Sequence, residues 1–211
     1  MKNATIHVVD DDQAVRESIK WLIESVGMNI ETYGSADEFL DKYTEDSLGC
    51  VILDVRMPGL SGLDLQAIIR ERGIDLPVIF ITGHGDVPMA VRALKNGAVD
   101  FIEKPFNDQT LLDTIQAALQ RHRDRLKKRG ELDNIQARYD GLTTREQQVM
   151  DMVVSGKPNR DVAEALGISV KTVEVHRAKV MEKMQAKSIA ELVKMSMIMR
   201  EAYSSKASMR Q

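Results

Sequence analysis

Carboxylates gather at two places in this sequence where a buried-looking segment gives way to a loop. Asp54 ends the apolar, partly β-branched run Val51-Ile52-Leu53, and Pro58-Gly59 breaks the chain just beyond it. Asp10, Asp11 and Asp12 follow the run Thr5–Val9 in the same way. Crowded carboxylates repel one another unless a cation sits among them, and an all-oxygen donor set with room for water suits Mg2+ or Mn2+. A fourth apolar run ends in Ile81-Thr82-Gly83, which offers a hydroxyl, and a fifth leads into Glu103-Lys104-Pro105, which offers an ammonium. If these runs are parallel strands with the first and third adjacent, the groups emerge at one sheet edge, where open α/β sheets bind ligands. Acids for a metal, a hydroxyl, an ammonium and one further carboxylate make a site for a phosphoryl group attached to Asp54. Asp54 is then the nucleophile, and the metal and Lys104 neutralise the transferring oxygens. A solvated Asp closing a strand is the plainer alternative for each acid taken alone.

The elements that must position these groups are legible as an alternation. Strand-like runs occur at Thr5–Val9, Met28–Tyr33, Cys50–Leu53, Val78–Ile81 and Val99–Ile102. Helical patterns separate them at Gln13–Val26, Ala36–Tyr43, Leu63–Arg72, Val87–Asn96 and from Asp108 onward. Ser35 with Glu38 and Ser61 with Asp64 have the spacing of capping boxes, Asp12 is placed either to cap the first helix or to join the other acids, and Asp86 precedes Val87-Pro88. Gly73 and Gly97 stand where two helices should stop. The pattern predicts a five-stranded parallel, flavodoxin-like sheet with helices on both faces and right-handed crossovers.

The 211 residues suffice for two ordinary domains, and their charge is divided. Residues 1–122 hold 20 Asp+Glu and 11 Lys+Arg, a balance of −9, whereas residues 123–211 hold 12 and 18, a balance of +6. An acidic front and a basic back imply different partners, the second polyanionic unless the charge is simply a solvated face. No apolar run approaches the roughly 18 residues of a membrane span, no signal peptide is evident, and the single Cys50 suits a reducing cytoplasm. His7, His84, His122 and His176 lack the spacing of a zinc site.

Residues 123–140 are charged and read as a helical linker, with Leu119, Leu126, Leu132 and Ile135 spaced to form a short seam between two copies. Residues 141–211 read as four helices. Thr143 with Glu146 opens the first, which runs to about Ser155, and Gly156-Lys157-Pro158 breaks it. Asn159–Leu166, the turn Gly167-Ile168-Ser169 and the longer Val170–Met184 form a helix-turn-helix, followed by a helix from Ser188 to about Arg200. Val173, Val180 and Met184 share one stripe and should be core, while Lys171, Glu174, Val175 and Ala178 lie opposite.

Short motifs, in order, carry a family resemblance: Val9-Asp10-Asp11, Asp54 with Met57-Pro58-Gly59, Thr82, and Lys104-Pro105-Phe106, narrowed by Thr82-Gly83-His84-Gly85-Asp86-Val87-Pro88-Met89-Ala90-Val91 and Asp100-Phe101-Ile102-Glu103. The chain resembles the two-component response regulators, and along its whole length their FixJ type. The resemblance implies a receiver domain over 1–122 whose Asp54 accepts a phosphoryl group from a sensor histidine kinase. It further implies Mg2+ held by Asp10, Asp11, Asp54 and the backbone carbonyl of Arg56, phosphoryl oxygens bound by Thr82 and Lys104, and a cis Lys104-Pro105 bond. Phe101 takes the place of the switching aromatic, although a plain core phenylalanine is the alternative. Arg56 and His84 lie where such proteins tune dephosphorylation. Met89, Val91, Arg92, Lys95 and Asp100 are the implied dimer face on phosphorylation.

Residues 141–211 are similar to the LuxR/NarL-type DNA-binding domain through Leu142-Thr143-Thr144-Arg145-Glu146, Asn159-Arg160-Asp161-Val162-Ala163, Leu166-Gly167-Ile168-Ser169 and Lys171-Thr172-Val173-Glu174-Val175-His176-Arg177. On that basis the third helix enters the major groove of near-palindromic promoter DNA. There Glu174 can accept from cytosine and Val175 or Ala178 can touch a thymine methyl. Arg160, Lys171, Arg177, Lys179 and Lys187 are the phosphate candidates, with Thr172 on the same surface and His176 either packed or bonding a phosphate rather than reading a base. RNA polymerase is a further candidate partner. Two other readings remain at this point. An aspartyl phosphatase would want an acid two residues after its nucleophile, where Arg56 stands, and a constitutive DNA binder would not need the pocket. The expected protein is a cytoplasmic transcription factor whose only catalysis is on its own phosphoryl group.

Overall fold

Three packed cores account for the architecture of the computed structural model, which describes residues 4–44, 48–83 and 87–208. The chain divides into two compact units, Met1–Leu126 and Lys127–Gln211. The first alternates β1 (Thr5–Val9), α1 (Gln13–Ser25), β2 (Asn29–Tyr33), α2 (Ala36–Lys42), β3 (Gly49–Asp54), α3 (Gly62–Glu71), β4 (Val78–Thr82), α4 (Val87–Lys95), β5 (Asp100–Glu103) and the start of α5 (Asp108–Asp140). All strand pairs are parallel, in the order β2-β1-β3-β4-β5, so β1 and β3 are neighbours.

The continuous apolar runs are explained by burial on both faces. Along β3, Cys50 and Ile52 point into a core with Ile19 and Ile23 of α1 and Leu111 and Ile115 of α5. Val51 and Leu53 point the other way, to Phe39 of α2, Leu65 of α3 and Ala93 of α4. Strand limits differ from the hydrophobic runs by a residue because pairing, not hydropathy, sets them. Asp54 pairs with Ile81 and Thr82 with Glu103, so both polar residues belong to their strands, while Met28 and Val99 fall outside β2 and β5.

Helix caps follow the sequence signals with one correction. Asp12 accepts the Ala14 amide at 2.8 Å, and the Ser61–Asp64 capping box is complete. At α2, Ser35 accepts from the Glu38 amide, but the Glu38 carboxylate takes the Gly34 N–H at 2.7 Å, so the expected box is only half formed. The extended backbone at Ser35 brings the preceding amide within reach. Asp86, expected ahead of α4, lies outside the described residues.

The second unit contains the rest of α5, α6 (Thr144–Val154), α7 (Asn159–Leu166), α8 (Val170–Met184) and α9 (Ile189–Ser208). The last helix outruns its expected end because nothing after Arg200 breaks it: no Gly or Pro follows. Its core includes Val149, Val153, Val162, Val173, Val180, Met184 and Leu192. Ile135 is buried in that core with Leu132 packed against it, and Leu119 is buried in the first unit. The seam between copies expected from Leu119, Leu126, Leu132 and Ile135 therefore fails: three of the four are used inside the chain, and Leu126 alone is exposed.

Candidate functional site

The strand ends deliver the acids and the ammonium to one point. Asp10, just past β1, is 1% exposed and Asp54, at the end of β3, is 6% exposed. Lys104 arrives from beyond β5 and places its Nζ 2.7 Å from Asp10 Oδ2 and 2.9 Å from Asp54 Oδ1. The Arg56 amide donates to Asp54 Oδ2 at 2.7 Å, so both oxygens of Asp54 are held. Asp10 Oδ1 accepts the Asp12 amide at 2.9 Å. Thr82 is buried at the neighbouring strand end, where its carbonyl accepts the Lys104 amide at 2.8 Å, and the Lys104-Pro105 bond is cis.

Burial governs the charges. Desolvation pushes the Asp10 carboxyl above its ordinary range despite the opposing pull of Lys104. Burial also pulls Lys104 down, but its hydrogen bonds to Asp10 and Asp54 prevail and its pKa is raised. Two carboxylates share one ammonium, which leaves the pocket short of positive charge. Asp11 is exposed on the same loop, and among the described residues no three acidic, histidine or cysteine side chains converge as a metal cluster. The donor set still suits a hard divalent ion, since the buried Asp10 and Asp54 and the adjacent Asp11 are all oxygen ligands. Arg56 is exposed, and His84 lies outside the described residues.

A residue the sequence reading passed over proves central. Gly62 opens α3 so close to β3 that a methyl group on it would stand 2.1 Å from the Asp54 carbonyl oxygen. Only its place inside the Ser61–Asp64 helix start, directly after the capping Ser61, hinted at it.

Phe101 is half-buried, its ring 6.1 Å from that of Phe80. On α4, Val91, Arg92 and Lys95 are exposed, but Met89 packs against the core and is half-buried. Asp100 is half-buried, with its carboxylate accepting from the Phe101 amide and from Thr114 Oγ1 of α5. Val87 and Leu94, also exposed, complete an apolar stripe with Val91 that their spacing of four and three residues could have revealed.

In the second unit, α7 ends on Gly167 in the left-handed region, and Ser169 caps α8 through the Thr172 amide. Lys171, Glu174, Val175, Ala178 and Lys179 are exposed along α8, as are Arg160 and Lys187 beside it. Thr172, His176 and Arg177 are half-buried. The Thr172 hydroxyl bonds Ser169 Oγ, Arg177 donates to Asn159 Oδ1, and His176 Nδ1 is buried without a partner. These three thus face inward in part, unlike the lysines. The sequence reading also missed what anchors α8: Lys183 Nζ meets the buried Glu146 carboxylate at 2.7 Å, and Arg145 donates to the Leu166 carbonyl at the end of α7.

Comparison with known proteins covers both units. Residues 6–116 match the response regulator receiver domain, and residues 140–196 match the bacterial regulatory proteins of the luxR family. Nodulation protein W of Bradyrhizobium diazoefficiens is 47% identical over 193 residues, which cover 92% of this chain and 85% of that protein. Transcriptional regulatory protein FixJ of Azorhizobium caulinodans is 46% identical over 92% of each chain. The solved structure of response regulator StyR superposes with a TM-score of 0.85 at 42% identity, covering 92% of this chain and 98% of that one. With a receiver domain followed by a luxR-family DNA-binding domain, the chain belongs to the two-component response regulators.

Proposed function

We propose that this protein accepts a phosphoryl group on Asp54 from a sensor histidine kinase, dimerises through its receiver and binds near-palindromic promoter DNA to regulate transcription. The observation that carries the reading is the carboxylate of Asp54, buried, held at both oxygens by Lys104 and the Arg56 amide, and set beside the buried Asp10. A carboxylate so oriented is a ready nucleophile toward phosphorus, and the Lys104 ammonium can follow the oxygens of the incoming group. Thr82, buried at the adjacent strand end, supplies a hydroxyl to the same group, and Phe101 follows its movement by packing. Asp10, Asp11, Asp54 and the Arg56 carbonyl would hold Mg2+ or Mn2+, which when bound supplies the positive charge the pocket lacks.

Residues 1–122 act as receiver, 123–140 as helical linker and 141–211 as the DNA-binding domain. The receiver's output is the α4–β5 face, with Val91, Arg92 and Lys95 exposed on it. On α8, Glu174, Val175 and Ala178 read base edges, while Arg160, Lys171, Lys179 and Lys187 contact phosphates. Thr172, His176 and Arg177 support that surface from its buried side. No described helix is long and apolar enough to cross a membrane, and we assign the protein to the cytoplasm, where kinase, promoter and RNA polymerase meet.

The test is treatment with acetyl phosphate and Mg2+, followed by mass spectrometry, sedimentation and footprinting. An acyl phosphate on Asp54, a shift to dimer and a protected operator are expected together, with all three lost in Asp54→Asn. A protein that carries no acyl phosphate while a charged partner kinase is present refutes the reading.

A further inference from the structure

We infer that Arg16 is a positioning residue of the acidic pocket, holding the Asp10–Asp11 peptide so that both carboxylates aim at the divalent ion; this rests on the phosphoacceptor reading above. Arg16 lies on α1 and reaches the pocket through the backbone of Asp10 rather than through Asp54 or Lys104. Its Nη1 donates to the backbone carbonyl of Asp10 at 2.6 Å. Every polar atom of Asp10 is thereby fixed from a different direction. Its amide donates to Tyr33 of β2 at 3.2 Å, Oδ1 accepts from Asp12, and Oδ2 accepts from Lys104.

The carbonyl of Asp10 and the amide of Asp11 belong to one planar peptide. Fixing that oxygen therefore fixes the direction in which Asp11 leaves the strand end. Asp11 is exposed, so no buried contact of its own does this work. Arg16 is well anchored for the task, because its amide bonds the Asp12 carbonyl at 3.1 Å while its side chain reaches back over the turn.

A guanidinium near a cation site also opposes the cation, and the two effects have opposite signs. Here the opposing charge is partly offset by Glu38: a methyl group on Gly34 would meet Glu38 Oε2 at 3.6 Å and Arg16 Nη1 at 3.8 Å, and Arg16 adds to the hydrogen bonds from Lys42 and the Gly34 amide that hold the Glu38 carboxyl below its ordinary range. Arg16 is also half-exposed, and solvent screens what remains. Positioning should prevail over repulsion.

The test compares Arg16→Met and Arg16→Lys with the unmodified full chain, using calorimetric titration with Mg2+ and, separately, the rate of Asp54 phosphorylation by acetyl phosphate across Mg2+ concentrations. Loss of an outer partner of a metal ligand typically weakens binding by ~10-fold or more, and Arg16→Met should fall in that range. Its phosphorylation rate should return to normal at saturating Mg2+, and Arg16→Lys, which keeps the charge but not the fork, should bind Mg2+ at an intermediate level. Should Arg16→Met not fold, the Lys variant decides through the same metal rescue. Unchanged or tighter Mg2+ binding, or a rate deficit that no Mg2+ concentration restores, overturns the assignment. An unmodified protein that neither binds Mg2+ nor is phosphorylated refutes instead the functional reading on which it stands.

Discussion

Gly62 and Asp54 are in contact through backbone alone: a β-carbon at Gly62 would stand 2.1 Å from the Asp54 carbonyl oxygen and 3.2 Å from the Phe80 ring. The amide of Gly62 also donates to the Val55 carbonyl at 3.0 Å, which pins the start of α3 against the end of β3. A carbonyl oxygen in a paired strand cannot swing aside, so Gly62→Ala must move the helix, the strand end, or both. Overpacking of this kind costs roughly 1–3 kcal/mol. The variant should fold with a lowered urea midpoint and a slower phosphorylation of Asp54 by acetyl phosphate. An unchanged rate would mean that α3 yields without disturbing the carboxylate.

Among the described residues, Lys104 alone bridges two buried carboxylates, at 2.7 and 2.9 Å. Lys104→Met leaves both acids without it, and removing one partner of a buried ion pair costs on the order of 3 kcal/mol. Because Mg2+ bound to the folded state adds stability by mass action, it should stabilise this variant more than the parent. Thermal melting with and without Mg2+ measures both effects. Equal Mg2+ responses would show that the ammonium and the metal do not serve the same charge deficit.

What could be read in advance follows from which forces leave a mark in one dimension. The alternation of the first unit was legible because a sheet buried on both faces demands unbroken apolar runs, such as Val51-Ile52-Leu53 and Val78-Ile79-Phe80-Ile81. Asp10, Asp54, Thr82 and Lys104 were legible because each ends or follows such a run. The close approach at Gly62 was not, since a glycine needed for contact with a distant strand looks like any helix-start glycine. The Lys183–Glu146 pair was hidden for a similar reason: its partners are 37 residues apart and each has an adequate local role. Hydropathy also misjudged Leu119 and Ile135, whose helical spacing suits a seam between copies as well as the two cores that take them.

The Glu146–Lys183 pair gives the second unit an acid-labile lock. Hydrogen bonds from Lys183 and the Thr143 amide hold the Glu146 carboxyl down at about 2, although it is buried. A carboxyl with a lowered folded pKa stabilises above its unfolded value near 4.5, and that contribution drains away as pH falls from there toward about 2. The protection of the α6 and α8 amides against hydrogen exchange, referred to the intrinsic rate at each pH, should therefore fall below about pH 4.5. Glu146→Gln should show weaker protection at neutral pH and a flatter response in the same window; a slope equal to the parent's would place the acid sensitivity elsewhere.

Val87, Val91 and Leu94 expose an apolar stripe on α4, with Val87 at 76% and Leu94 at 46% exposure. Leu94→Asp puts a charge on that stripe without touching the pocket, so Asp54 phosphorylation should proceed at the parental rate. Dimerisation in response to a phosphodonor should fall by at least tenfold in affinity, about 1.4 kcal/mol, measured by sedimentation. Dimers of unchanged strength would exclude the stripe from the contact.

If α8 reads DNA as proposed, its exposed face should separate residues that specify from residues that only hold. Glu174 exposes its carboxylate on α8, and that acceptor can pair with a cytosine amino group. Glu174→Ala should relax preference at one base pair by roughly 1–3 kcal/mol, seen in a selection from random operators as a position that loses its consensus. Lys171, exposed one turn earlier, should behave otherwise. Lys171→Ala ought to weaken binding to all sequences alike and reduce the slope of log affinity against log salt by about one phosphate contact. If instead Lys171→Ala changes the selected sequence and Glu174→Ala leaves it intact, then α8 enters the groove with a different edge leading, and the phosphate and base roles on it are exchanged.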